Sequence, residues 1–191
     1  MSKVCDWCGD DPLYRRYHDE EWGRPCRDDR KLFEFIILES AQAGLNWLTI
    51  LRKREGYRRL FADFCAETVA AFNNDDIDRL MADPAIVRNR AKIDSAINNA
   101  RCFLQLQRDY GSFANYLWGF VDHRPIENQW QQLAEVPATT MLSDRISKDM
   151  KKRGFRFFGS TICYAYLQAM GVVNDHLVSC PAHRQCAEPN R

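Results

Sequence analysis

The residues best suited to chemistry stand at the two ends of the chain. Cys5, Cys8 and His18 lie near the front, and His176, Cys180, His183 and Cys186 lie near the back. Thiolate and imidazole are the ligands zinc prefers, four at a time in a tetrahedron, and His176 with Cys180 is an i, i+4 pair that one helical turn can aim at a single ion. A Cys5, His18, His176, Cys180 site would tie the termini together. The pair Cys5-x2-Cys8 invites a competing quartet with Cys180 and Cys186, and free thiols are a third reading; spacing leaves all three open.

Three further groups carry chemical content. Trp7, Tyr14, Tyr17 and Trp22 fall within sixteen residues and alternate with charges rather than following a helical core pattern. Such rings either pack beneath the amino-terminal segment or form a pocket for a planar or cationic ligand. Glu39 stands amid Phe35, Ile36, Leu38, Ala41 and Ala43, where a carboxylate removed from water needs a partner. That partner is a salt bridge or, beside an aromatic pocket, a ligand. Finally, Lys148 to Arg156 holds five basic residues and one acid and runs into the hairpin Gly154-Phe-Arg-Phe-Phe-Gly159. Glycines permit close backbone approach, and the free amides of a following helix can face a phosphate. Arg52-Lys53-Arg54 with Arg58-Arg59 forms a second positive group, and a solvated helix face is the preferred reading of either cluster alone.

Placing these groups requires a helical scaffold, since apolar positions recur at three and four and no long alternating run appears. Helices are expected from just after Asp28-Asp29 up to Gly44, with Leu32, Phe35, Ile36 and Glu39 on one stripe, and from Trp47 to Tyr57; Gln42 to Asn46 is the turn between them. Others are expected from an Asn74 cap to Asp83-Pro84, from Ala91 to Arg108, from Phe113 to Val121, from a Ser143 cap to Gly154 and from a Ser160 cap to Gly171. Cys65, Cys102 and Cys163 read as small core hydrophobes within apolar helical patterns. With 191 residues, 46% apolar and 28% charged, the chain suits one compact unit over 1–191 and excludes disorder and fibrous repeats. The longest aliphatic or aromatic stretch, Phe35 to Leu38, cannot cross a membrane. The amino-terminal residues lack the apolar core of a secretory signal, so a cytoplasmic location is expected, and the eight cysteines read as metal ligands or buried thiols rather than disulfides. A formal net charge of +1 argues neither for nor against a polyanionic partner.

Taken together, Cys5-x-Trp7, Asp11-Pro-Leu-Tyr-x-x-Tyr-His18-Asp-x-Glu-Trp-Gly23, Leu38-Glu39, Gln42-Ala-Gly-Leu-x-Trp47, Arg88-x-Arg-x-Lys92, Lys152-Arg-Gly-Phe-x-Phe-x-Gly159 and Val173-Asn-Asp-His176-x-x-x-Cys180 resemble a known family nearly end to end. It is that of the bacterial type I 3-methyladenine DNA glycosylases, a zinc-containing branch of the helix-hairpin-helix glycosylases. The resemblance implies an all-α fold with the helix-hairpin-helix near 144–171 and a zinc-stapled lobe formed by 1–25 and 172–191. It assigns one structural zinc per chain to Cys5, His18, His176 and Cys180. It also makes Trp7, Tyr14, Tyr17, Trp22 and Trp47 a base pocket in which Glu39 accepts hydrogen bonds from the adenine edge.

The implied partner is double-stranded DNA containing 3-methyladenine, bound by a monomer with no membrane involvement. The target nucleotide is flipped out, with Gln42 to Asn46 as the wedge, Leu45 as the plug and Gln42 as the next candidate. Lys151, Lys152, Arg153, Gly154 and Gly159 would hold the backbone. Asn174 falls where related glycosylases keep a catalytic aspartate, so no strong nucleophile or base is evident; water attacks an oxocarbenium-like sugar and no lyase step follows. Two alternatives are weaker. An inactive zinc-stapled DNA-binding module would not need Glu39 and all the pocket aromatics, and a zinc hydrolase would need an open coordination position.

Overall fold

Ten consecutive buried residues, Leu32 to Ala41, make one helix the axis of the fold. The computed structural model describes residues 4–187, so residues 1–3 and 188–191 of the two terminal segments lie outside the described residues. The axial helix is α2 (Asp29–Gln42), preceded by α1 (Pro12–Glu20) and followed by α3 (Trp47–Leu60), α4 (Ala66–Ala70), α5 (Asn74–Ala82), α6 (Arg90–Tyr110) and α7 (Phe113–Trp118). After a mostly irregular stretch come α8 (Met141–Lys152), α9 (Ser160–Ala169) and α10 (Pro181–Ala187). The apolar set Leu32, Phe33, Phe35, Ile36, Ile37 and Leu38 covers every face of α2, as a helix enclosed by others requires. It packs against α3, α6, α7 and α9, and Phe33 meets Phe103 of α6 at 5.0 Å between ring centroids.

The helix ends differ from expectation by a few residues, because neighbouring polar side chains compete for each cap and only geometry decides which reaches the free amides. Asn73 rather than Asn74 caps α5. Thr140 caps α8, and Ser143 is the third helical residue that returns a bond to the Thr140 amide. Gly159 caps α9, leaving Ser160 inside it. Helix α6 extends at both ends, α7 stops at Trp118 with a tighter turn following, and α3 continues to Leu60. Of the three cysteines expected in the core, only Cys163 is buried; Cys65 sits outside the helices and, like Cys102, is half-buried.

A feature absent from the helical reading is a two-residue parallel pairing of β1 (Ile126–Glu127) with β2 (Val173–Asn174). It is too short to leave an alternating pattern, yet it stitches the irregular stretch to the carboxy-terminal segment. Beside the main core lies a small apolar cluster of Cys5, Leu177, Cys180 and Ala182, contacted by Trp7 and Trp130.

Candidate functional site

Helix α2 buries two glutamates five residues apart, and they have opposite surroundings. Glu34 accepts from Arg54 Nε at 2.7 Å and from Arg58 at 3.3 Å, and Arg54 also makes a two-pronged bond to Glu21 at 2.7 and 2.8 Å. Glu39 is 4% exposed and its carboxylate has no cation or hydrogen-bond partner among the described residues. Burial alone pushes the Glu39 carboxyl up to about 8, since a charge without solvent or partner is disfavoured. It lines a cavity of about 480 Å³.

One wall of that cavity is aromatic, and all five rings expected to form a base pocket line it: Trp7, Tyr14, Tyr17, Trp22 and Trp47. Trp7 presents edge contacts to Trp22 and Tyr14 at 4.9 and 5.1 Å, while Tyr17 stacks on Phe35 of α2 at 6.3 Å and tilts against Trp47 at 5.7 Å. Burial, followed by the nearby Glu39, holds the Tyr17 hydroxyl far above its usual range, so it remains protonated. The Trp47 indole N–H is another buried group without a partner among the described residues. An unpaired acceptor, an unpaired donor and electron-rich rings together suit a planar, cationic ligand carrying complementary polar edges.

The opposite wall escaped the sequence reading. Thr161, Tyr164, Ala165 and Gln168 line the cavity from α9, at the spacing of one helical face. Behind them is Asp175, 3% exposed, which accepts from Tyr164, Gln168, Asn128 and Trp130. Asn174, which resemblance aligns with a catalytic aspartate elsewhere, turns away: its amide donates to the His183 carbonyl at 2.9 Å and accepts from the His176 backbone. Resemblance to related glycosylases points to Asn174 in the run Val172-Val-Asn-Asp-His176, and residue type alone does not single out its neighbour Asp175.

Cys5, His18, His176 and Cys180 converge, all buried, with their ligand atoms within 4.8 Å of one another. Sulfur-to-nitrogen separations are 3.6 Å for Cys180 to His18, 3.7 Å for Cys5 to His176 and 3.9 Å for Cys180 to His176. A tetrahedral ion with ordinary zinc bond lengths would separate S and N by about 3.6 Å, so the set fits such an ion. The other ring nitrogens are engaged outward: His18 Nδ1 with Asp19 at 2.7 Å and His176 Nε2 with the Trp22 carbonyl at 2.9 Å. Both rings therefore turn an unprotonated nitrogen inward. Gly23 makes the second contact possible, because a Cβ there would lie 2.8 Å from His176 Nε2. Contact with the Cys5 thiol drives Cys180 far toward thiolate. Cys8 and Cys186 are buried outside the cluster, with Cys8 donating to the Cys5 carbonyl at 3.1 Å, so the competing quartet does not assemble.

Two backbone features flank the cavity. In the α2–α3 turn, Gly44 at φ +78° permits a tight reversal closed by the Leu45 backbone amide to the Gln42 backbone carbonyl at 2.6 Å and by the Gln42 side-chain Nε2 to the Leu45 carbonyl at 2.8 Å. Lys92, in a motif without an assigned role, clamps this turn through the Ala41 and Ala43 carbonyls, 2.7 Å each. Leu45 stands at the tip, 39% exposed. The α8–α9 connection is pinned from α6: Asn99 bonds both backbone groups of Arg156 at 2.8 and 2.9 Å, and Asn98 donates to the Gly154 carbonyl. Gly154, Gly159, Lys151 and Lys152 are exposed there. Arg153 differs, being held by Asp149 at 2.7 Å and by the Tyr110 hydroxyl at 2.9 Å.

Residues 7–184 match the family model described as methyladenine glycosylase. DNA-3-methyladenine glycosylase 1 of Escherichia coli (strain K12) is 50% identical over 176 residues, 92% of this chain and 94% of that protein. DNA-3-methyladenine glycosylase of Haemophilus influenzae is 45% identical over 181 residues, 95% of this chain and 98% of that protein. Among solved structures, a single-residue variant of 3-methyladenine DNA glycosylase I in complex with 3-methyladenine has a TM-score of 0.91 at 38% identity, with 98% of each chain covered.

Two outcomes follow from this geometry. Cys180→Ser is expected to lose bound metal and melt earlier, whereas Cys8→Ser retains both metal content and melting temperature; full metal occupancy in Cys180→Ser would reject the quartet. Glu39 binds its proton more tightly folded, near pH 8, than unfolded, near the ordinary 4.5, so its contribution to stability falls as pH rises between those values and is level above. Glu39→Gln removes that penalty. Its melting advantage over the natural protein should widen from pH 5 to pH 8, reaching on the order of a few kcal/mol, and an advantage independent of pH would contradict the buried charge.

Proposed function

The chain belongs to the methyladenine glycosylase family, and on that premise we propose that it excises 3-methyladenine from alkylated double-stranded DNA by hydrolysing the N-glycosidic bond. The observation that carries this reading is Glu39, buried and unpaired in an aromatic cavity. Methylation at N3 makes adenine cationic, so the base departs as a neutral molecule and its bond to the sugar is already weak. The site needs recognition of a cation more than a strong acid. The faces of Trp7, Tyr14, Tyr17 and Trp47 attract a positive ring by about 0.5–2 kcal/mol each, and that ring pulls Glu39 to its ionised form, which accepts hydrogen bonds from the adenine edge. Unmodified adenine would be desolvated without either reward, which is the basis of discrimination.

Retention of Glu39 and all five rings around one cavity supports an enzyme over an inactive binding module. No lysine lines that cavity among the described residues, which supports attack by water, an abasic product and no Schiff-base step. Reaching the base requires flipping it from the duplex. The preformed α2–α3 turn, with exposed Leu45 at its tip and Gln42 on the cavity wall, suits a wedge that fills the gap. The α8–α9 pair is read as the helix-hairpin-helix, in which Lys151, Lys152 and the backbone at Gly154 and Gly159 meet phosphates; Arg153 contributes by bracing the hairpin through Asp149. Zinc at Cys5, His18, His176 and Cys180 is structural, because four protein ligands leave no position for water; it joins the terminal segments and supports Trp7, whose ring lies 5.3 Å from that of His18.

Chromatography of bases released from methylated DNA tests the reading: 3-methyladenine appears with the natural protein, and Glu39→Gln loses most single-turnover excision while keeping affinity for duplex DNA. Borohydride is expected to trap no covalent protein–DNA adduct. For the wedge, Leu45→Gly should slow excision from a paired lesion more than from one facing a gap, where unstacking costs less. Lys152→Ala should instead weaken binding to every duplex and flatten its salt dependence. Equal loss by Leu45→Gly on both substrates would remove Leu45 from that role.

A further inference from the structure

Breaking this glycosidic bond moves positive charge from the base to the sugar, and Glu39 answers only the first location. The second wall of the cavity carries its own buried carboxylate. Asp175 Oδ1 accepts from Asn128 Nδ2 at 2.6 Å and Trp130 Nε1 at 2.8 Å, and Oδ2 accepts from the Tyr164 hydroxyl at 2.5 Å and Gln168 Nε2 at 2.8 Å. All four donors are neutral, and no lysine, arginine or histidine takes part. Four donors match the four lone-pair positions of an ionised carboxylate, whereas an added proton would set donor against donor. The group is therefore bonded as a carboxylate, with no cation beside it among the described residues.

We propose that Asp175 is a positioning residue whose buried charge, acting with the Tyr164 and Gln168 side chains it holds, makes the α9 wall a subsite for the sugar as that sugar becomes cationic. This rests on the glycosylase reading above and extends it from the base to the deoxyribose. With every lone pair engaged, Asp175 acts as neither base nor nucleophile. It acts by field and by orientation. Gln168 gives one amide hydrogen to Asp175 and keeps its carbonyl oxygen and a second hydrogen, and Tyr164, its hydrogen committed, has only oxygen lone pairs. Both line the cavity alongside Thr161, so this wall offers acceptors backed by a negative charge. Preorganised dipoles of that sign stabilise charge that develops in the transition state. A wall needed only for shape would gain nothing from an uncompensated ion, whose burial is costly.

The test compares two duplexes of the same shape. One carries a pyrrolidine in place of the target sugar, protonated at neutral pH and so resembling the cationic sugar; the other carries the neutral tetrahydrofuran analogue. The natural protein is expected to bind the pyrrolidine duplex about tenfold or more tighter than the tetrahydrofuran duplex. Asp175→Asn should bring that ratio near one while affinity for the tetrahydrofuran duplex is kept, and should slow single-turnover release of 3-methyladenine by about tenfold or more. Tyr164→Phe, which deletes one donor but leaves the charge, should retain most of the preference. Equal affinity of the natural protein for the two duplexes overturns the proposal without any variant, as does an Asp175→Asn protein that keeps the preference or loses both duplexes alike. Failure of the parent reading shows separately, as no 3-methyladenine released by the natural protein.

Discussion

A carboxyl group buried with no partner among the described residues is the constraint on which the rest of this structure depends. Glu34 and Glu39 lie on one helix and are nearly equally hidden, at 6% and 4% exposure. The first is neutralised by two arginines, and the second by nothing among the described residues. Leaving Glu39 in that state costs stability, and the surrounding protein offsets it: α2 is enclosed on every side by apolar contacts, so the helix stays in place although one of its side chains would be better solvated. The vacancy in Glu39's bonding then becomes the means of recognition, because the ligand that satisfies it must carry positive charge and fit between rings.

The Cys and His cluster serves the same end at one remove. Trp7 touches His18 on one side and Tyr14, Tyr17 and Trp22 on the other, and Trp22 meets His176 at 4.7 Å, so the aromatic wall is supported by side chains from both ends of the chain. Trp22 has a double part, lining the cavity with its ring while its carbonyl orients His176. A fold without extended sheets thus fixes a short, irregular amino-terminal segment to within ring-contact tolerance. The β1–β2 pairing does similar service for the far wall, bringing Asn128 and Trp130 to Asp175.

Much of this was legible in residue types. Glu39 was conspicuous as an acid in an apolar stripe, the aromatic cluster as rings off the helical period, and the ligand set as soft donors at both ends, though spacing did not separate Cys5, His18, His176 and Cys180 from the alternative with Cys8 and Cys186, which resemblance and then three-dimensional contact did. Helix interiors were readable and helix caps less so, because Asn73 and Asn74, or Thr140 and Ser143, offer the same chemistry a residue or a turn apart. Asp175, Lys92, Asn98 and Asn99 were not readable as functional. Each acts through partners dozens of residues away or on another element, and a side chain's type does not reveal which backbone or hydroxyl it will meet. Arg153 shows the converse: its basic character suggested a free phosphate contact, while the fold had already committed it to Asp149.

The central claim is that Glu39 is a protonated, unpaired acid until a cationic base arrives. Carbon-13 NMR of the Glu39 side-chain carboxyl, assigned with Glu39→Gln, reports its ionisation directly across a pH titration. In the free protein the resonance is expected to titrate near 8; with 3,9-dimethyladeninium, a permanently cationic mimic of the damaged nucleoside, saturating the cavity, the midpoint should fall to well below neutrality. A Glu39 carboxyl that titrates near the ordinary 4.5 in the free protein, or whose midpoint does not move when the cation binds, would contradict the account.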